Sequence, residues 1–281
     1  MRNNNTTSKL YDAILGLAIG DALGVPYEFL ERGAFTCSDM VGHGTHDQPA
    51  GTWSDDTSMT LATLDSLKKN NGSIVTEDIC RNFNNWLLYG DYTADGEVFD
   101  AGITTCTALR KGKPAVGEWD NGNGSLMRIL PLAFVDCTDD EIRAVSAITH
   151  GHWISEEACV IYVHVAKRLL AGEPISSIIP TLAHVKPFDR LSSINTLDMS
   201  QIKSSGYVVD TLEAALWVVS HEGDWEKSFR NDILTAVNLG KDTDTVAAVA
   251  GGLAGIMYGL DDVCDWVEKL RNKDEIMDCL W

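Results

Sequence analysis

The sequence lacks the features that mark secreted, disulfide-bonded and membrane-spanning proteins. Its 281 residues include seven cysteines, an odd number, and no two of them have the C-x-x-C spacing of a zinc or redox site. The first residues are polar and contain no apolar stretch of a signal peptide. The longest small and apolar run, 246–260, is short and rich in glycine, so it does not predict a membrane span. We expect a soluble cytoplasmic protein with reduced thiols.

Basic residues are also scarce. Lysine and arginine total 22 against 41 acidic residues, which gives a net charge of -19. A surface this negative repels nucleic acid and anionic membranes, so neither is an expected partner. A ligand that carries phosphate would need local help from metal ions or helix N-termini. The oligomeric state cannot be read from the sequence, although a monomer is favoured.

Few segments alternate in polarity as half-buried strands do, whereas helical periodicity is common. Leu10, Ile14, Leu17 and Ala18, for example, recur at steps of three and four residues. Glycine and proline separate the helical segments, and the pattern predicts one all-α domain over residues 1–281, a compact multi-helix bundle. Besides the first segment, the predicted helices are 57–69, 76–89, 101–110, 124–134, 139–149, 155–171, 208–221, 225–238, 243–258 and 261–271. The polar loops between them, which we expect to build a site, are 33–53, 90–100, 111–123 and 185–206.

Two predicted helices begin with more acid than a helix start needs. One acceptor is enough to cap a helix, but each start offers two carboxylates and a hydroxyl. The second helix consists mainly of Ala, Gly and Val, which predicts that it is buried on most sides. The six polar residues of the two starts are Ser54, Asp55, Asp56, Asp242, Asp244 and Thr245.

Buried carboxylates need a compensating positive charge. Lys241 alone cannot neutralise several acids, whereas divalent cations can. Oxygen ligands without His or Cys favour Mg²⁺, Mn²⁺ or Ca²⁺, and two clusters of this kind are typical of a two-metal hydrolase. The alternative interpretation is that both segments are ordinary capped helices in a very acidic protein.

Six sequence motifs, in the order in which they follow one another along the chain, resemble those of the ADP-ribosylglycohydrolase family. The resemblance covers nearly the whole chain. It implies a compact all-α fold with two Mg²⁺ or Mn²⁺ ions at the base of a cleft, held by the six residues of the two helix starts. Ser54 stands where many relatives have Thr, which keeps the hydroxyl. The motifs occupy residues 16–29, 51–59, 99–109, 122–128, 149–150 and 237–255.

The resemblance also assigns residues to substrate and catalysis. A glycine-rich turn that leads into a helix suits a diphosphate, although the turn on its own favours an ordinary capped loop. The resemblance makes the substrate contacts Gly122, Asn123, Gly124, Ser125 and His150. It offers Glu28, on a mobile loop after Pro26, and Asp100 as the catalytic acid or base, and the sequence does not choose between them.

The implied function is hydrolysis of the bond between ADP-ribose and a modified protein side chain, with arginine-linked ADP-ribose as the first candidate. The alternatives are hydrolysis of another ADP-ribose conjugate or metabolite, and a non-catalytic ADP-ribose-binding protein on the same fold. Lys241 departs from the family, in which many relatives have glycine. Its side chain either points into solvent or leans toward the cleft, where it would repel an arginine guanidinium.

Overall fold

The computed structural model describes residues 4–182, 185–223 and 225–281. In these ranges the chain is helical, and β-structure is limited to isolated bridges between single residues, which confirms the all-α prediction. No described helix is long and apolar enough to cross a membrane. The α-helices are α1 (Asn4–Gly24), α2 (Asp55–Lys69), α3 (Thr76–Tyr89), α4 (Ile103–Lys111), α5 (Asp139–Ser146), α6 (Trp153–Leu170), α7 (Ile175–Ile178), α8 (Val208–Ser220), α9 (Phe229–Asn238), α10 (Thr243–Tyr258), α11 (Cys264–Lys269) and α12 (Lys273–Cys279).

The core lies around α10, the helix of small residues. Its residues from Thr243 to Ile256 are all buried, and α1, α6, α8 and α9 pack around it. The hydroxyl of Tyr162 in α6 donates to the carbonyl of Val249 at 2.8 Å. The sequence-based expectation of a buried helix is confirmed, and the polar start of α10 lies in the interior with it.

Glycines bring the backbones of α1 and α10 into direct contact. A Cβ added to Gly20 would lie 2.1 Å from the carbonyl oxygen of Ala247, and one added to Gly24 would lie 2.3 Å from the Cα of Asp244. Any side chain at these positions would therefore force the helices apart. This close contact places Asp21, near the end of α1, beside the start of α10.

The segment 124–134 is not the continuous helix that its periodicity predicts. It forms two short 3₁₀ turns, Asn123–Ser125 and Leu130–Phe134. Pro131 lies in the second turn and has no N–H to donate, which interrupts helical hydrogen bonding there.

Other differences concern short elements. The predicted helix 261–271 is a 3₁₀ turn followed by α11, while α7 and α12 had no counterpart among the predicted helices. The predicted loop 185–206 contains two 3₁₀ turns, Leu191–Thr196 and Met199–Gln201. Elements of one or two turns carry too few periodic positions to be recognised from sequence.

Candidate functional site

The end of α1 meets the starts of α2 and α10, and Asp21 fixes this junction. Its side chain is fully buried. Its carboxylate accepts hydrogen bonds from the backbone N–H groups of Ser54 (2.9 and 3.0 Å) and Thr57 (3.0 Å). The Thr57 hydroxyl donates a further bond at 2.6 Å. Burial raises the pKa of Asp21 to about 6. With its oxygens engaged in this way, Asp21 holds the first turn of α2 against α1.

The acids of the two helix starts face one another, and some of their carboxylate oxygens have no hydrogen-bond partner in the described part of the chain. Asp56 Oδ2 accepts from the Ser54 hydroxyl at 3.1 Å and from the Thr245 hydroxyl at 3.3 Å. Within the described residues, however, Asp56 Oδ1, Asp242 Oδ1 and Asp244 Oδ2 are buried without a hydrogen-bond partner. Such oxygens are rare in folded proteins because leaving them unpaired is costly. The arrangement fits a bound cation.

Two overlapping sets of carboxylates have the spacing of metal ligands. In the first, oxygens of Asp21, Asp56 and Asp244 lie within 4.8 Å of one another, and in the second, oxygens of Glu28, Asp242 and Asp244 do so. Asp244 belongs to both sets. Either set has the spacing to hold a metal ion.

Electrostatic repulsion within this cluster is large. Burial raises the pKa of Asp244 well above its usual value, and the neighbouring carboxylates of Glu28 and Asp242 raise it further. Burial and the carboxylates of Asp21 and Asp55 do the same for the pKa of Asp56. Negative charges so close together need a positive partner to remain ionised.

Asp55 occupies a different place from the other predicted ligands. It lines the cavity above the floor, and its carboxylate accepts a hydrogen bond from the backbone of Gly102. Burial is the first cause of its raised pKa, followed by the charge of Asp100. The structure thus brings all six residues of the two helix starts to one region, with Asp55 at its upper edge.

A cavity of about 260 Å³ opens above the acid floor. Ser125 does not reach it, since its side chain is fully buried and accepts a hydrogen bond from the Ser146 hydroxyl at 2.9 Å. The 3₁₀ turn at Asn123–Ser125 directs this side chain into the core, so the predicted contact of Ser125 with substrate would have to come from its backbone. The remaining predicted substrate and catalytic residues all line the cavity: Glu28, Asp100, Gly122, Asn123, Gly124 and His150.

His46 joins the two catalytic candidates. Its Nε2 contacts the carboxylate of Glu28 and lies 3.9 Å from Asp100 Oδ1. Burial, followed by the charge of Asp242, raises the pKa of Glu28 to about 8. Burial and the charge of Glu28 raise the pKa of Asp100 to about 7. Both acids therefore titrate close to neutral pH, which suits proton transfer.

The segment after Glu28 is tied to the start of α10 through Lys241. The Phe29 N–H donates to the Lys241 carbonyl at 2.6 Å, and the Lys241 N–H donates to the Leu30 carbonyl at 2.7 Å. The Lys241 ammonium pairs with Glu31 and does not line the cavity. The hypothesis that Lys241 leans toward the cleft is therefore wrong, and the lysine points away from it. Its φ of 65° lies in the left-handed region, which explains why glycine suits this position.

The wall opposite Glu28 is the glycine-rich turn. The side-chain amide of Asn123 donates to Asp242 Oδ2 and to the Thr211 hydroxyl, both at 2.9 Å, and so ties this wall to the acid floor. A Cβ on Gly124 would lie 2.8 Å from Cε1 of His150. Glycine at this position lets the turn and the imidazole lie side by side.

Asp21 and His46 were not among the residues proposed from sequence. Asp21 gave a usable signal, because it is an acid within an otherwise apolar stretch of α1, and a fully buried acid needs partners. His46 gave none. It stands in a polar loop, and only the fold shows that this loop passes beside Glu28.

Comparisons with known proteins found matches along nearly the whole chain. The family model described as ADP-ribosylglycohydrolase matches residues 2–280. An ADP-ribosylarginine hydrolase Tri1 from Pseudomonas putida (strain GB-1) is 36% identical over 277 residues, which is 92% of this chain and 73% of that protein. The ADP-ribosyl-[dinitrogen reductase] glycohydrolase of Rhodospirillum rubrum is 31% identical over 283 residues, which is 94% of this chain and 90% of that protein.

A solved structure is similar over the same extent. It is described as an ADP-ribosylglycohydrolase-related protein complex, and its chain superposes with a TM-score of 0.79 at 30% identity, covering 99% of this chain and 97% of that chain. The fold, the order of the motifs and the matched length point to one conclusion. The chain belongs to the ADP-ribosylglycohydrolase family and is an enzyme of that family.

Proposed function

We propose that this enzyme removes ADP-ribose from a modified protein side chain, with arginine-linked ADP-ribose as its main substrate, in a reaction that requires two Mg²⁺ or Mn²⁺ ions. The observation that carries the proposal is the buried carboxylate cluster at the floor of a cleft, in which Asp56, Asp242 and Asp244 each keep an oxygen without a partner among the described residues. The arginine linkage is supported by two relatives that are named ADP-ribosylarginine hydrolases and are 36% and 32% identical to the chain.

The donor set fits two hard divalent cations. The acids of the floor supply carboxylate oxygens, three of which have no other partner among the described residues, and the two hydroxyls add neutral oxygens. When bound, the ions would supply Lewis acidity, neutralise the acids and bind the ribose hydroxyls and a water molecule. Asp21 holds the floor in shape. The proposed ligands are Ser54, Asp55, Asp56, Asp242, Asp244 and Thr245.

The cleft would hold ADP-ribose with the ribose over the floor and the diphosphate along the glycine-rich turn. Gly122 and Gly124 leave the backbone there open to a ligand, and Asn123 fixes the turn to the floor. Burial and the neighbouring Arg128 lower the pKa of His150 to about 3, so this imidazole meets the nucleotide as a neutral group. Such local contacts offset the repulsion that a net charge of -19 exerts on a diphosphate.

In the proposed reaction the bond between ribose C1 and the guanidinium nitrogen breaks, and the oxygen of water bonds to C1. One proton leaves the water, and one proton reaches the departing nitrogen. Glu28 and Asp100 both line the cavity, so either could take or give the proton. Positive charge that develops on the sugar is stabilised by the surrounding carboxylates.

The decisive experiment compares two linkages. The purified protein is incubated with arginine-linked and with serine-linked ADP-ribosyl protein, in Mg²⁺, in Mn²⁺ and in chelator, and free ADP-ribose is measured. We expect release from the arginine-linked substrate in either cation and none in chelator. Release that is unaffected by chelation would contradict the metal requirement. Release from the serine linkage alone would contradict the choice of arginine.

The compartment is part of the same proposal. All seven cysteines are free in the structure, which supports a reducing compartment such as the cytoplasm.

A further inference from the structure

Arg128 is a buried cation that has only neutral partners. Its side chain is fully buried, and within the described part of the chain it forms no ion pair with a carboxylate. Nε donates to the carbonyl of Gly124 at 3.0 Å, and Nη2 donates to the Thr149 hydroxyl at 2.6 Å. The guanidinium also lies 4.3 Å above the ring centre of Phe83. A guanidinium can only donate hydrogen bonds, so the Thr149 oxygen must accept from it.

Because the Thr149 oxygen accepts a hydrogen bond from Arg128, its hydroxyl proton is free to be donated to His150. Its oxygen lies 2.8 Å from His150 Nδ1, and the residue is fully buried. Within the described residues that nitrogen is the one acceptor in reach of the hydroxyl proton. If Nδ1 carried a proton, two hydrogens would meet or the hydroxyl proton would remain unpaired. Nδ1 therefore accepts, and in the neutral ring the proton belongs to Nε2.

The Nε2 atom faces the cleft. A Cβ built on Gly122 would lie 3.6 Å from it, and one built on Gly124 would lie 3.3 Å from it. His150 is only 2% exposed and lines the cavity. No described residue forms a hydrogen bond with Nε2. An N–H that opens into a cavity and has no protein partner is suited to a ligand.

We propose that Arg128 is a positioning residue that acts through Thr149 to hold His150 as a permanent hydrogen-bond donor to an acceptor atom of the nucleotide in the cleft. The identity of the ligand rests on the proposed function, whereas the direction of the hydrogen bonds does not. Burial and the charge of Arg128 also lower the pKa of His150 to about 3, which keeps the ring neutral at physiological pH. The ring therefore remains an uncharged donor around neutral pH.

Nitrogen NMR of the histidine rings tests the relay in the protein without ligand. In ¹⁵N-histidine-labelled wild type we expect His150 to show an unprotonated Nδ1 and a protonated Nε2 from pH 5 to pH 8. The opposite tautomer, or an imidazolium in this range, would overturn the proposal. This spectrum decides the relay even if no ADP-ribose is ever bound or cleaved, so failure of the proposed function is distinguishable from failure of the inference.

A matched pair of variants tests the role of the hydroxyl. Thr149→Val keeps the shape and removes the hydroxyl, whereas Thr149→Ser keeps the hydroxyl. In the valine variant the Nδ1 resonance should move, because the nitrogen loses its donor, and in the serine variant it should stay. An Nδ1 resonance that is unchanged in the valine variant would overturn the relay. If the valine variant does not fold, the serine variant and the wild-type spectrum still decide.

Calorimetry with ADP-ribose then tests the ligand side. The loss of one oriented hydrogen bond should raise the Kd of Thr149→Val about tenfold, whereas that of Thr149→Ser should stay within about twofold of wild type. Addition of ADP-ribose should also shift the Nε2 resonance of wild type. Equal affinities in the two variants would overturn the role of His150 as a donor to the nucleotide.

Discussion

The floor and the wall of the cleft are built in opposite ways. In the wall, the polar groups of Arg128, Thr149 and Asn123 all have protein partners. In the floor, carboxylates of Asp56 and Asp244 face each other with buried oxygens unpaired. Protein interiors rarely tolerate such oxygens. The difference teaches that, apart from His150 Nε2, these polar groups on the nucleotide side find their partners within the protein, whereas the floor keeps unpaired carboxylate oxygens that fit a cation.

Removal of the carboxylate that both sets share should have the largest effect. In Asp244→Ala we expect loss of Mg²⁺ and Mn²⁺ binding by calorimetry and a fall in hydrolysis of at least about 10³-fold, because charge stabilisation at the reacting centre is lost. The helical circular dichroism should be retained. Asp140→Ala is the control, since Asp140 also lies in the first turn of a helix but its side chain is 96% exposed. Wild-type cation affinity in Asp244→Ala would show that the floor is not a metal site.

Glu28→Ala tests whether the acid above the floor acts in the reaction or in binding. We expect turnover to fall about 10²–10⁴-fold, as for loss of a general acid or base, with little change in the Kd for ADP-ribose. Glu31→Ala is the neighbouring control, because this side chain is 70% exposed and pairs with Lys241 outside the cavity. Equal losses of turnover and affinity in Glu28→Ala would indicate a binding role.

Stability in chelator should depend on pH in the direction opposite to most acidic proteins. Folding raises the pKa of Asp21 to about 6, of Asp100 to about 7 and of Glu28 to about 8. A carboxyl with a raised folded-state pKa stabilises the protein fully below its unfolded-state pKa, near 4, and this stabilisation is lost as pH rises through the folded value. The unfolding temperature of the cation-free protein should therefore fall between pH 5 and pH 8.

Cations should reverse this loss. At pH 8, Mg²⁺ or Mn²⁺ at about 100 times its Kd adds about 2.7 kcal/mol of stability for each ion bound, which raises the unfolding temperature by about 5–10 °C per ion in a chain of this size. A thermal scan at several pH values, with and without cation, measures both effects. If the unfolding temperature rises with pH in chelator, ionisation of the buried acids does not destabilise the cation-free protein, and the prediction is wrong.

The smallest effect is expected at Lys241. Glycine removes the steric cost of the left-handed φ at this position, but it also increases the conformational entropy of the unfolded chain. The two effects oppose each other, so Lys241→Gly should change the free energy of unfolding by no more than about 1 kcal/mol. Because the ammonium points toward Glu31 and away from the cavity, the ratio of kcat/KM for arginine-linked and serine-linked substrates should be unchanged. A changed ratio would mean that the side chain reaches the leaving group in solution.

The parts of this site that could be read from sequence are those whose chemistry is local. Ser54 and Asp55 are neighbours in the sequence, and Asp242 and Asp244 are two residues apart. Each helix start therefore carries more oxygen acceptors than a helix cap requires, and this excess can be recognised from the sequence. The link from Arg128 to His150 could not be read, because it depends on how a 3₁₀ turn faces the end of α5. The segment 124–134 was wrongly predicted as one continuous helix, because the spacing of apolar residues contains no information about the missing N–H of Pro131.

The glycine contact between α1 and α10 can form only late in the synthesis of the chain. Gly24 touches Asp244, and roughly two hundred residues separate them in the chain, so this contact cannot form until most of the protein has been synthesised. Contacts between such distant segments form slowly because a long loop must close first. The acids of α1 and α2 leave the ribosome long before their partners, at about 5–20 residues per second. The acid floor therefore cannot form until α10 has been made, because a chain that stops before residue 242 lacks Asp242, Asp244 and Thr245.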